Sequence, residues 1–359
     1  MAIHTYGLNA WRLGKYKGVI LKTASTREVL AKQGRVLKYP ANNSDTYISR
    51  RYLPYGSTTS NPNTFFPSAT TDTQDRGNQI VNAHLTAEGV TSTPDALTPQ
   101  DVSTTMFQYD CLYSFTDKTA QLGEDDVPQA MAKIIANRVA LVNEMRIFGV
   151  LKAGTNIFYG GTGTTRLTTN GAITLNMVRR ITAGLQANHA EMVTEVMAAG
   201  KNYNTSPVEA GFFVYGHTNL APDIRDMPGF TKAIEYASGA PLPNELGSVE
   251  MFRFILSPEF VPIIGGGATV ASAPGFQSSD GGTRNDVYQF IVCAADAWSN
   301  IAVRGMDSIK IVYHAPGEQS KSDVFGQRGY SGAMWWAGAT IENNFWMAVG
   351  NVLAKTLTN

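Results

Sequence analysis

The sequence predicts an α+β fold organised around one long helix. Three observations carry that expectation: apolar residues recur at helical spacing across residues 125–152, short apolar strands appear beyond residue 211, and the closing third is strand-rich. With 359 residues, 43% of them hydrophobic, the chain is long enough for one elaborate unit or two or three lobes, and disorder throughout is excluded. Only 16% of residues are charged, against ~25% in ordinary globular domains. Less surface than usual is therefore committed to solvating an isolated monomer, which favours an assembled protein.

Residues 1–50 form an irregular basic arm. They carry nine Lys/Arg against Glu28 and Asp45, a surplus of seven that the rest of the chain cancels, since the totals are 29 and 29. Tyr6, Trp11 and Tyr16 interleave with these cations, and a short amphipathic piece follows at residues 26–33. The arm has two readings that both stay open: Arg12, Lys15, Lys17 and Lys22 can face nucleic-acid backbone without sequence preference, or they solvate an arm lying across a neighbouring subunit.

Residues 46–56 alternate as a strand, with Tyr47, Ser49 and Arg51 on one face and Ile48, Arg50 and Tyr52 on the other. The next stretch, 57–98, holds fourteen Ser/Thr and almost no periodicity, yet a compact domain rarely tolerates a structureless connection beyond ~15 residues. Strand alternation returns at 101–117. Two strands thus bracket a polar excursion, as in a projecting hairpin that needs another subunit to hold it.

The helix over 125–152 starts favourably, with Asp125 and Asp126 at its positive dipole end and Pro128 in its first turn, and it would reach ~39 Å. After a Gly/Thr-rich connection, Thr174 caps a second helix. Strands are expected at 211–216, 249–257 and 286–296, a helix-like segment at 220–238, and a glycine loop at 264–282. The chain closes with strand 308–314 and the run GYSGAMWWAGATIENNFWMAVGNVLA.

Candidate chemistry is sparse. Cys111 and Cys293 lack CxxC spacing and read as reduced thiols. No signal-peptide run and no stretch approaching 18 uninterrupted apolar residues is present, so the expected compartment is a cytoplasm. Gly161-Thr162-Gly163 lacks the third glycine of a dinucleotide loop, and Gly329-Tyr330-Ser331-Gly332 misses nucleophile-elbow spacing, so both read as turns. The acidic run Glu124-Asp125-Asp126 reads as a helix-dipole feature. His217, trailed by Asp223 and Asp226, sits where a catalytic strand end would lie but reads as a hydrogen-bonded structural histidine. The sequence therefore predicts no catalytic residue, no metal site and no cofactor.

Several segments share a further property. RRYLPYG, LTPQDVSTTMFQYDCLYSFTD, VYGHTNLAPDIRDMPGFTKAIEYASGAPLPNELGSVEMFRFILSPEF, DVYQFIVCAADAWSNIAV and HAPGEQSKSDVFGQRGYSGAMWWAGATIENNFWMAVGNVLA, in this order, resemble the major capsid proteins of tailed bacteriophages, specifically the N-four-like podovirus family with the Hong Kong 97-type fold. The resemblance implies an N-terminal arm at 1–45, an extended β-hairpin loop at 46–116, a peripheral domain at 117–171 and 306–359 with its spine helix at about 125–152, and an axial α/β domain at 172–305.

It also implies a structural, non-enzymatic role: self-assembly into pentamers and hexamers of an icosahedral shell around double-stranded DNA. The implied partners are portal, scaffolding and possible decoration proteins, with no membrane, and the implied location is the virion, assembled in the host bacterial cytoplasm. Rival expectations are an encapsulin-like nanocompartment shell and an α/β hydrolase with His217 at its site. Some shells of this fold are stapled by lysine–asparagine isopeptide bonds from the extended loop; between Lys38 and Lys118 this chain has no lysine.

Overall fold

The computed structural model describes residues 29–30, 34–39, 44–54, 57, 81–82, 84–86, 88–91, 94, 96–122, 127–194, 209–236, 242–303, 309–317, 319 and 323–357. Asp125, Asp126 and the four arm cations Arg12, Lys15, Lys17 and Lys22 lie outside the described residues.

The strands are β1 (Arg35–Tyr39), β2 (Thr46–Tyr52), β3 (Pro99–Thr105), β4 (Phe107–Thr116), β5 (Ile157–Tyr159), β6 (Phe212–Gly216), β7 (Thr231–Lys232), β8 (Glu245–Val249), β9 (Phe252–Leu256), β10 (Val287–Cys293), β11 (Trp298–Val303), β12 (Lys310–His314), β13 (Arg328–Ile341) and β14 (Met347–Leu353). The helices are α1 (Asp117–Leu122), α2 (Val127–Leu151), α3 (Leu175–Ala187) and α4 (Ala221–Arg225). They make three sheets: a seven-stranded one in the order β5-β14-β10-β6-β9-β8-β7, a five-stranded one in the order β1-β11-β13-β12 with β4 also on β13, and the two-stranded ribbon β2-β3.

The seven-stranded sheet is covered on both sides, which is why β9 and β10 read as near-continuous apolar runs rather than alternating ones. One face takes Met177, Val178, Ile181 and Leu185 of α3 against Phe212, Val214, Phe254 and Phe290. Helix α3 starts as expected, with the Thr174 hydroxyl accepting from the Met177 amide. The other face takes Ile147, Phe148 and Leu151 of α2 against Tyr215, Ile255, Ile291 and Val349.

The 25 residues of α2 serve two sheets in succession. Its N-terminal half presents Ile135 and Val139 to Cys111, Ala333 and Trp335 of the five-stranded sheet, and Asn143 accepts from the Trp335 indole at 2.9 Å. Its last two turns cross to the seven-stranded sheet. Because apolar residues are needed on more than one side, the helix lacks a single apolar stripe.

Four expectations are corrected. Residues 249–257 are not one strand: the chain turns at Glu250, which adopts φ 48°, so β8 and β9 form a hairpin. Strand 101–117 breaks at Met106, whose amide donates to Asp45 O at 2.9 Å while its side chain is buried with Ile301. The helix-like stretch 220–238 holds, among the described residues, only the short helix α4 and a single 3-10 turn at Ala233–Glu235, separated by a turn at Gly229 (φ 80°) and by β7. Gly329 and Gly332 lie within β13, not in a turn; a side chain at 329 would meet the Phe115 ring and one at 332 the Cys111 carbonyl.

Sheet membership does not follow sequence blocks. β14 pairs with β10 over Val287↔Leu353 to Cys293↔Met347, and β5 joins the same sheet from residues 157–159. β11 leaves for the five-stranded sheet, where Trp298 opposes Ile341.

Candidate assembly surfaces

The expected hairpin is present: β2 and β3 pair antiparallel from Thr46↔Thr105 to Tyr52↔Pro99. Alternation gives the ribbon two unlike faces. Tyr47, Ser49 and Arg51, opposite Thr104, Val102 and Gln100, form the half-buried face. Here Tyr47 and Trp336 pack against Met106 and Ile301, the Thr104 hydroxyl donates to Ala339 O at 3.2 Å, and Arg51 donates twice to Gln100 Oε1.

The opposite face holds Ile48, Arg50 and Tyr52 with Ser103, Asp101 and Pro99. Arg50 grips Asp101 in a fork, Nε to Oδ1 at 2.6 Å and the second nitrogen to Oδ2 at 2.7 Å. That hydrogen bonding raises the guanidinium's affinity for its proton and holds the Asp101 carboxyl below the usual carboxylate range. An exposed ion pair adds little stability, but a bidentate one fixes register. It leaves Ile48 and Tyr52 exposed on either side, at 58% and 62%. The loop side of the hairpin adds exposed Leu85, Val90 and Leu97.

A second apolar surface lies on the five-stranded sheet, on the side away from α2. The register sets Leu112, Gly332 and Val312 in one row and Asp110, Met334 and Lys310 in the next, and Leu112 is half exposed. The connection between β12 and β13 presents Val324 and Phe325, the latter 82% exposed, on a turn fixed by the Arg328 amide donating to Asp323 Oδ2. Beside the edge strand β7, Ile234 is 89% exposed. Scattered apolar exposure is ordinary, whereas apolar side chains on ribbons and turns held this firmly suit contact with another chain.

The interior behind these surfaces is fixed by buried polar groups. Glu245 accepts from the Tyr236 hydroxyl and the Leu242 amide, both at 2.8 Å, with Arg253 3.7 Å away, and burial pushes the Tyr236 hydroxyl well above its ordinary pKa. Asp286 organises the glycine loop: its Oδ1 accepts from the Gly265 amide and its Oδ2 from the Ser279 amide and hydroxyl. The loop is thus a pinned structure, a role no local sequence signal assigns to Asp286.

His217 has the structural role expected of it. Its Nδ1 accepts from the Asn219 amide at 3.0 Å, its ring tilts over Tyr288, and burial lowers its pKa. Asp223 is tied to the Lys355 amide at 3.1 Å and to its ammonium at 3.4 Å. Cys111 and Cys293 are separate buried thiols, both pushed up by burial. A shallow polar groove lies between residues 162–170 and 268–284, where Asn170 bonds to Thr162 within the expected Gly-Thr-Gly turn. Among the described residues no group of three or more His, Cys, Asp or Glu is placed to hold a metal ion, and no helix is long and apolar enough to cross a membrane.

No protein-family profile matches the chain. A curated relative, the major capsid protein of Pseudomonas phage KPP21, is 22% identical over 196 residues, 51% of this chain; the chain spans about half (49%) of that relative's length. Among solved structures, the capsid of Ralstonia phage GP4 superimposes with a TM-score of 0.59 at 11% identity, covering 90% of this chain and 88% of that one. The cyanophage Pam1 capsid gives 0.51 at 13% identity over 98% of both chains. That of cyanophage P-SCSP1u gives 0.51 at 10% identity over 89% of this chain and 86% of that one. The chain therefore has the Hong Kong 97-type fold of phage capsids, an α+β architecture held nearly end to end.

Proposed function

We propose that this chain is the major capsid protein of a tailed bacteriophage of the N-four-like podovirus kind, assembling into pentamers and hexamers of an icosahedral shell around double-stranded DNA. The observation that carries the reading is agreement with capsid chains over 90% and 98% of this chain and 88% and 98% of theirs, joined to a sequence relative that is itself a major capsid protein. The role is structural. The β2–β3 ribbon supports it, because one copy leaves Ile48 and Tyr52 without cover. The hydrolase reading loses its centre, since the His217 Nδ1 lone pair is occupied as a backbone cap and Asp223 is tied to Lys355.

In this reading residues 1–45 are the arm and 46–116 the extended loop. Residues 117–171 and 306–359 build the peripheral part and 172–305 the axial part, with β14 lending its edge to the axial sheet. Arg12, Lys15, Lys17 and Lys22 face the genome as a sequence-independent basic lining. Portal, scaffolding and decoration proteins are the further partners, and the virion is the location.

Electron microscopy of the purified full-length chain tests this. Closed shells of icosahedral symmetry are expected, with DNA in particles from infected cells. A monomer or small oligomer under all assembly conditions overturns the reading, and shells that enclose protein instead of DNA replace it with a nanocompartment.

A further inference from the structure

Glu144 lies in the C-terminal half of α2, between Asn143, which bonds to Trp335 of the five-stranded sheet, and Ile147, which packs on the seven-stranded one, and it is fully buried (0% exposed). Around it are Ile147, Phe148, Leu151 and Tyr215, an apolar setting in which an unpaired carboxylate costs several kcal/mol. Both its oxygens are used. Oε1 accepts from the Val29 amide at 2.9 Å and Oε2 from the Leu30 amide at 3.0 Å.

These two amides belong to the root of the N-terminal arm, more than a hundred residues away in sequence. The side chains of Val29 and Leu30 are buried in the same apolar cluster. The chain then turns, with the Gly34 amide donating to Leu30 O, and Gly34 lies so close to the Trp298 ring that no side chain fits there. It continues as β1, parallel to β11 from Arg35↔Ser299 to Tyr39↔Val303. The β1 ladder by itself fixes only residues 35–39. The chain before the turn is held by the buried side chains of Val29 and Leu30 and by a charge-assisted pair of hydrogen bonds from their amides to one carboxylate.

We infer that Glu144 is the positioning residue of the arm: its carboxylate holds residues 29 and 30 on α2 and so fixes the point at which the chain preceding Val29 joins the body. The consequence for assembly, that this point decides which neighbour or which side of a shell the arm reaches, rests on the capsid reading. The attachment itself does not.

The test uses the full-length, unassembled chain and Glu144→Leu, which removes the buried charge while keeping an apolar side chain of similar size. A merely structural acid and a positioning acid predict different results. Replacement of a buried charge by an apolar residue leaves the body's unfolding midpoint unchanged or raised, while the arm loses its two acceptors. Trypsin is then expected to cut at Lys32 about tenfold faster or more, with cleavage at Arg35, which the β1 ladder holds, and in the body unchanged. Glu144→Gln, which keeps one acceptor, falls between.

Cleavage at Lys32 that stays at the parent rate, or rises only in proportion to cleavage of the body, overturns the inference. Should neither variant fold, hydrogen exchange in the parent decides: the Val29 and Leu30 amides are expected to be protected as well as those of α2, and free exchange there sinks the proposal. Shell formation is scored alongside. A parent chain that forms no shells counts against the capsid reading, whereas the proteolysis result bears only on Glu144.

Discussion

Gly350 faces Phe290 across the β10–β14 ladder, and the phenyl ring occupies the space that a side chain at 350 would need. The closing strand therefore lies against the buried Phe290 ring of β10 only because position 350 has no Cβ. Gly350→Ala is expected to cost about 1–3 kcal/mol through overpacking, read as a lower denaturant midpoint with an unchanged slope. An alanine variant as stable as the parent would show that the ring yields freely.

The polar excursion has too few apolar residues to hold itself, so deletion of residues 60–95 should leave the subunit body folded. The sheets that define the body do not use it, and the β2–β3 pairing lies on either side of it. Circular dichroism and an unfolding midpoint close to the parent's are expected, together with a loss of closed shells by microscopy. Normal, stable shells from this variant would show that the excursion is not an assembly element.

If the arm lines a shell, changing Arg12, Lys15, Lys17 and Lys22 to Gln removes four sequence-independent phosphate contacts per copy. Assembly should proceed, but DNA should escape from purified particles at lower temperature, and the gap from the parent should narrow as salt rises. Equal release by both at low and high salt would confine the arm's charge to solvation or subunit contact.

His217 offers a pH test. Burial lowers its folded-state pKa below the ordinary 6.5, so the unfolded chain binds the extra proton first and this histidine's contribution to stability is lost as pH falls below about 6.5. His217→Asn keeps an acceptor for the Asn219 amide and cannot titrate. The variant's unfolding midpoint should change less than the parent's between pH 7 and pH 5; parallel pH profiles would assign the effect to other groups.

If the chain builds a shell, the lack of lysine between residues 38 and 118 predicts one without isopeptide staples from residues 46–116. Particles boiled in detergent should run as monomer with no reductant added. A ladder of subunit multiples on that gel would contradict it.

The local code in this chain is clear where burial repeats with a regular period. Helix α2, the Thr174 cap, the apolar runs of β6 and β10 and the ribbon β2–β3 follow from side-chain spacing alone, because a face that must be buried writes its period into the sequence. Even the two faces of the ribbon, Tyr47 and Arg51 against Ile48 and Tyr52, could be read in that way. Spacing says that a face is buried but not what buries it.

Only tertiary structure decided that α2 changes partner sheet between Asn143 and Ile147, that β14 closes on β10, and that the glycines at 329 and 332 sit inside a strand against Phe115 and Cys111 rather than in a turn. The same holds for the polar anchors. Glu144 in a long helix and Asp286 before a strand look like surface acids, since a carboxylate carries no local sign of its partners. Each became buried only when backbone amides, Val29 and Leu30 from a distant segment for one and Gly265 and Ser279 from the preceding loop for the other, arrived to take the place of water.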